Sequence, residues 1–271
     1  MRRMTCATPT LFPATDPVDE RQLRPMSVFR SIVFSAVLAG VVAGAATTAV
    51  QMVGTVKLIQ QAEVYEKKAE APASAASPAP APAAAGHDHA AHQHAAVAAD
   101  AGGEWEPEAG FQRNAFTAGA NVLTAIGFAL LLAGIFALRG RPVDWREGLF
   151  WGLGGFVVFV AAPGLGLPPE VPGQPVADLT LRQIWWIATA CATAAGLALL
   201  VFRNASWAAL LGLGLIVLPH LIGAPQAPAG HTDVPETLAH SFVVAAVLTG
   251  LIFWAMLGVL TSIAYRRLSR A

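Results

Sequence analysis

Apolar positions in this chain fall in long unbroken blocks, without the alternation of a half-buried strand or the narrow stripe of a soluble amphipathic helix. Six blocks stand out, at residues 31–53, 116–138, 148–167, 184–202, 207–222 and 240–265. About 20 apolar residues in a helix cross the hydrocarbon core of a bilayer, so each block predicts a transmembrane helix. The fifth block is the shortest. Only "RNAS", Arg203 to Ser206, separates it from the fourth, and so short a link predicts a tight helical hairpin. The pattern gives an all-α polytopic membrane helix bundle of six spans. Polar stretches divide it into a disordered tail at 1–27, a first transmembrane helix with an outward extension at 28–68, an Ala/Pro- and His-rich loop at 69–110, and a five-helix transmembrane bundle at 111–271.

Flanking charge orients the bundle. With the N-terminus cytoplasmic, the inner segments hold Arg2, Arg3, Arg21, Arg24, Arg30, Arg139, Arg141, Arg146, Arg203, Arg266, Arg267 and Arg270, which is 12 of the 17 basic residues. The outer segments hold Lys57, Lys67, Lys68, Arg113 and Arg182. Every inner segment carries an arginine, so six spans with both termini cytoplasmic satisfy the charge rule at each turn. Trp185 and Trp186 mark the outer end of the fourth block, Trp145, Trp151 and Trp207 lie near inner ends, and mid-helix Trp254 reads as packing. The first block has a competing reading as a cleaved signal peptide, with "AGAATTA" as the small-residue site, but it is longer than a usual signal core and a long polar tail precedes it. Met26, opening "MSVFRSIVFSAVLAG", looks like a natural start, which would make the preceding tail a mis-assigned gene start or a dispensable extension.

Composition then removes function classes. Formal net charge is zero, which suggests no nucleic-acid partner; membrane lipid is the expected surrounding. Cys6 and Cys191 lie far apart, without zinc-type spacing or an expected disulfide. No phosphate-binding glycine loop, Ser/His/Asp arrangement or HExxH is present, so no enzyme is expected. No span carries a central Asp, Glu, Lys or Arg, which argues against a self-contained proton-coupled pump. The interior polar residues are Thr47, Thr48, Gln51, Asn121, Thr124, Thr189 and Thr193. Asn121 with Thr124, and Thr48 with Gln51, sit three apart; they either line a polar transport path or make ordinary interhelical hydrogen bonds. Gly40 with Gly44, and Gly148 with Gly152, form small-xxx-small pairs that permit close helix contact.

Histidine supplies the candidate chemistry. "HDHAAHQH" places His87, His89, His92 and His94 in the outer loop, behind the Ala/Pro linker. The other three, His220, His231 and His240, fall at the outer ends of the fifth and sixth blocks or in the loop between them. Neutral imidazole is the commonest protein ligand for divalent first-row metals. A mobile His tract collects ions weakly and releases them, which suits a capturing antenna; the plain alternative is a solvated loop. Nearer the bilayer, Glu63 and Glu66 extend the first helix outward, Pro219 weakens the fifth beside His220, and "HTDVPETLAH" supplies His231, Asp233, Glu236 and His240. Together they suggest an outer metal site of imidazole and carboxylate. The competing reading of "TDVPE" is a helix start, with Thr232 or Asp233 at the cap.

Several strings taken in order, "MSVFRSIVFSAVLAG", "QQAEVYE", "ANVLTAIGFALLL", "LRGRPVDWREGLFWGLGGF", "APGLGLPPEVPG", "RQIWWIATA" and "LPHLIGAP", together resemble the CbtA family, predicted cobalt transporter subunits of bacteria. The likeness runs from about Met26 to Arg267. It implies cobalt uptake across the inner membrane for cobalamin biosynthesis, with a small one-span His-rich partner of the CbtB kind. His220 and the carboxylates of "AEVYE", Glu63 and Glu66, lie in the matching motifs. Cobalt itself comes only from the resemblance, since imidazole and carboxylate do not separate Co from Ni or Zn. The expectation is a multi-pass inner-membrane permease subunit for a divalent metal, Co2+ as cargo and no permanently bound cofactor. The alternative is a non-transporting metal-binding subunit that hands ions to a separate channel.

Overall fold

The computed structural model describes residues 20–75, 107–108, 110–230 and 232–270, and all regular structure among them is helical. In chain order the helices are α1 (Glu20–Val53), α2 (Thr55–Ala75), α3 (Phe111–Arg139), α4 (Trp145–Phe156), α5 (Ala162–Gly166), α6 (Leu179–Phe202), α7 (Ser206–Ile222) and α8 (Glu236–Leu268). The His run, His231 and the first 19 residues lie outside the described residues. Within them, α1 already begins at Glu20 and α2 continues to Ala75, so helix takes in parts of the segments read from sequence as tail and linker.

Five stretches are long and apolar enough to cross a membrane: Ser27–Val53, Phe111–Arg139, Trp145–Gly166, Leu179–Phe202 and Glu236–Leu268. The sixth, α7, has 17 residues. At 1.5 Å per residue it reaches about 26 Å, slightly less than the roughly 30 Å hydrocarbon thickness. It pairs with α6 through the short 203–205 link, as the expected hairpin.

Helix α8 is the central post, flanked by α1 and α4, and α1 packs along α3. Lipid tails offer no hydrophobic force between helices, so close backbone approach through small residues does the holding. Ala36, Ala39 and Ala43 of α1 meet Ala125, Ala129, Leu132 and Phe136 of α3 in the buried core. A Cβ added to Gly40 would fall 2.6 Å from the backbone nitrogen of Ile126. Gly148 and Gly152 of α4 meet Gly258 of α8 in the same way, where a Cβ on Gly258 would lie 2.9 Å from Gly152 Cα. Both small-xxx-small pairs therefore face partner helices.

The third span is not a uniform α-helix. Pro163 has no N–H to offer the carbonyl of Phe159, and its ring crowds the preceding turn. The ladder responds by widening: residues Val157–Ala161 form a π-helical turn, with the Ala162 N–H bonded to Val157 O. This turn rotates Phe159 and Val160 into the space between α3, α6 and α8.

Candidate functional site

Between α1, α3 and α8 the bundle holds a cavity of about 640 Å³, reaching from the α2 end to mid-span. From Gly110 at the mouth to Phe128 at the bottom, α3 covers about 27 Å at its helical rise. One wall is polar: Thr47, Gln51 and Thr55 from α1 and α2, and Asn114, Thr117, Asn121 and Thr124 from α3. The opposite wall is α8, with Phe242, Ala246, Thr249 and Gly250. Asp, Glu, His and Cys do not occur among the described residues that line it.

Asn121 organises the polar wall. Its Nδ2 donates to Thr48 Oγ1 at 2.9 Å and to Gln51 Oε1 at 2.6 Å. These bonds tie α3 to α1, so the interhelical reading of Asn121 is realised while Asn121 and Thr124 also line the cavity. Three of the threonines turn their protons to their own helices. Thr47 donates to Ala43 O at 2.8 Å, Thr117 to Arg113 O at 2.9 Å, and Thr249 to Ala245 O at 2.7 Å.

Aromatic rings close the bottom. Phe159 stacks on Trp254 with planes 3° apart and centroids 5.4 Å apart, and Phe128 lies 4.7 Å from Trp254 and 5.0 Å from Phe159. Trp254 packs as read from the sequence, and it is the buried centre of the floor. Beyond it the core tightens into Leu257, Phe136 and the alanine face of α1. Sequence reasoning missed this floor because aromatics inside an apolar block look like any other core residue. Thr249 was missed as a lone hydroxyl in α8; Thr55 and Thr117 lie at the edges of the apolar blocks.

At the mouth, Arg113 on α3 reaches Glu63 on α2, Nη2 to Oε1 at 2.6 Å. The guanidinium hydrogen bond holds the Glu63 carboxyl below its ordinary value of 4.5, against a smaller opposing effect of burial. The mouth thus carries a neutralised pair. Around it, Ala62, Val171 and Val234 form a small apolar cap with Tyr65, Leu238 and Phe242. Thr232 Oγ1 donates to Gly173 O at 2.9 Å and locks the two loops together. Glu66 packs beside Gly173. Glu236 and His240 lie in the first turns of α8, four apart and exposed. Helix α8 starts after Pro235, and Thr232 caps nothing in it but accepts from Val234 N at 3.2 Å.

His220 stands elsewhere. It is third from the end of α7, after Pro219, and meets Trp185 of α6 edge-on with centroids 5.9 Å apart. Its Nε2 is buried without a hydrogen-bond partner. Among the described residues, three or more His, Cys, Asp or Glu side chains nowhere converge as a metal-holding group. The carboxylates and imidazoles expected to act together are spread over the mouth, the cap and the hairpin.

Residues 29–266 match the model of the family CbtA, described as "Probable cobalt transporter subunit (CbtA)". Neither the curated proteins nor the solved structures contain a match.

Proposed function

This chain belongs to the CbtA family of probable cobalt transporter subunits, and on that premise we propose that it is a divalent-metal uptake permease subunit of the bacterial inner membrane with cobalt as its cargo. The arginine distribution supports a placement with both termini in the cytoplasm and the α2 end in the periplasm. There His87, His89, His92 and His94 gather ions. Glu63, Glu66, His231, Asp233, Glu236 and His240 form a rim that attracts them by charge and weak ligation, and His220 serves as an accessory ligand at the hairpin. The ion then descends past Asn121 and Thr124 to the aromatic floor, which acts as the inner barrier. The observation that supports this reading is the polar-walled cavity, which enters the bundle from the α2 end and stops at mid-span. Membrane potential supplies about 2.3 kcal/mol per charge per 100 mV, which favours inward movement of a dication. A small one-span His-rich subunit is the proposed partner.

One observation favours a second reading, a non-transporting subunit that delivers ions to a separate channel: no carboxylate or imidazole is among the described residues lining the cavity. Radioactive cobalt and proteoliposomes holding this chain alone separate the two. Accumulation inside the vesicles supports the permease; binding without accumulation supports delivery. Deleting residues 86–94 is expected to lower uptake at scarce cobalt and leave it intact at plentiful cobalt.

A further inference from the structure

The threonine hydroxyls and the Asn121 amide on the cavity wall have a hydrogen-bonding character fixed by the helices themselves, whereas the Gln51, Gln60 and Asn114 amides and the Arg113 guanidinium on the same wall keep N–H groups. A hydroxyl has one proton to donate and two lone pairs to accept with. Thr47, Thr117 and Thr249 have each committed that proton to a carbonyl of their own helix. What they offer the cavity is acceptor oxygen. Thr48 does the same with Gly44 O at 2.9 Å, so it must accept from Asn121, and this fixes the orientation of the Asn121 amide. Both amide protons of Asn121 are then used, on Thr48 and Gln51, and its carbonyl oxygen is the part left over. Neutral oxygen acceptors from three helices thus share one space above an aromatic floor, and Arg113, which also lines it, is paired with Glu63.

A bare dication fits this wall poorly. Divalent first-row metals take imidazole, thiolate or carboxylate as direct ligands, and none of these is among the described lining residues. A dication that keeps its water shell fits well. Its waters are polarised by the metal and act as donors, which acceptor oxygens satisfy. Six waters at roughly 30 Å³ each occupy about 180 Å³, and 640 Å³ holds that complex with further water around it.

We infer that the cavity binds the divalent ion as its intact aqua complex, through the metal's own waters, with Thr47, Thr117, Thr249 and the Asn121 carbonyl as the receiving oxygens and no protein atom in the first coordination sphere. This rests on the permease reading for its cargo, but binding is measurable without transport.

Cobalt(III) hexaammine is the probe. Its six ligands do not exchange, resemble coordinated water in size and donate N–H bonds, so only an outer-sphere site recognises it. Equilibrium dialysis of the full chain in lipid nanodiscs is expected to give saturable hexaammine binding that cobalt(II) competes away. The T117V/T249V double variant removes two acceptors and is expected to weaken binding at least tenfold, while T117S/T249S retains it. Helicity by circular dichroism confirms that each variant is folded. No saturable binding by the native chain overturns the inference, and so does unchanged binding by a folded T117V/T249V. In cobalt-transporting vesicles, hexaammine is expected to block uptake. Cobalt accumulation with neither hexaammine binding nor block leaves the permease standing and sinks the aqua-ion site. Hexaammine binding lost in T117V/T249V, without cobalt accumulation by the native chain, does the reverse.

Discussion

Asn121 is the residue on which the polar wall depends, because one amide joins α1 to α3 and sets which atoms face the cavity. Interhelical hydrogen bonds in membranes average about 0.6 kcal/mol each. Asn121→Leu therefore is expected to cost about 1 kcal/mol in thermal unfolding in nanodiscs and to lower cobalt uptake by more than that stability loss accounts for. Thr261 is the contrasting case: its hydroxyl is buried with no partner, so Thr261→Val should raise stability by up to about 1 kcal/mol. The mouth pair gives a pH prediction. Arg113 depresses the folded Glu63 pKa below 4.5, so the pair contributes stability above that value and loses it as pH falls through the depressed one. The stability difference between the native chain and Glu63→Gln should stay constant from pH 7 to 5 and shrink only below 4.5. A difference that fades already between pH 7 and 5 contradicts the pairing. The sequence alone offered Asn121 and Thr124 as polar residues in apolar blocks, with two open readings. Only the positions of Thr48 and Gln51 across the helix pair decide what the amide does.

Helices in this bundle are held by close approach, and that makes their glycines unequal. A Cβ at Gly40 collides with the backbone of α3, whereas one at Gly134 meets nothing within 4 Å. Gly40→Leu should abolish the α1–α3 contact and the folded state with it. Gly134→Ala should be neutral or stabilising by up to about 1 kcal/mol, the helix-propensity gain. Comparing the two melts in one lipid checks this directly. Pro163 makes the second element-scale prediction. Pro163→Ala restores an N–H for Phe159 O, so the π turn at Val157–Ala161 should relax to α-helix. Phe159 would then rotate off Trp254, which a shift in tryptophan emission would report. The small-xxx-small pairs were legible because spacing alone puts both glycines on one face. The π turn was not, since a proline predicts a disturbance without saying whether the helix kinks, breaks or widens.

Across the whole molecule, the apolar blocks carried the helical architecture, because bilayer thickness fixes helix length before any packing is known. The hairpin followed from its short link, though α7 is shorter than a full-length span. The cavity was not legible: its wall gathers residues from α1, α2, α3 and α8, and its floor needs Phe159 to be turned by the π segment. The imidazoles and carboxylates were visible as types, but whether they converge depends on loop paths that no spacing encodes. Function at this scale reduces to whether cargo moves through that space. Ala246 lines the α8 wall with a small side chain, so Ala246→Cys, in a chain whose Cys6 and Cys191 are replaced by alanine, places one thiol on the proposed path. Cobalt uptake into proteoliposomes before and after labelling that thiol from the α2 side with a bulky methanethiosulfonate reagent is the most direct test. The account predicts at least a tenfold loss of uptake on labelling, slowed when cobalt is present; complete labelling with uptake unchanged would contradict it.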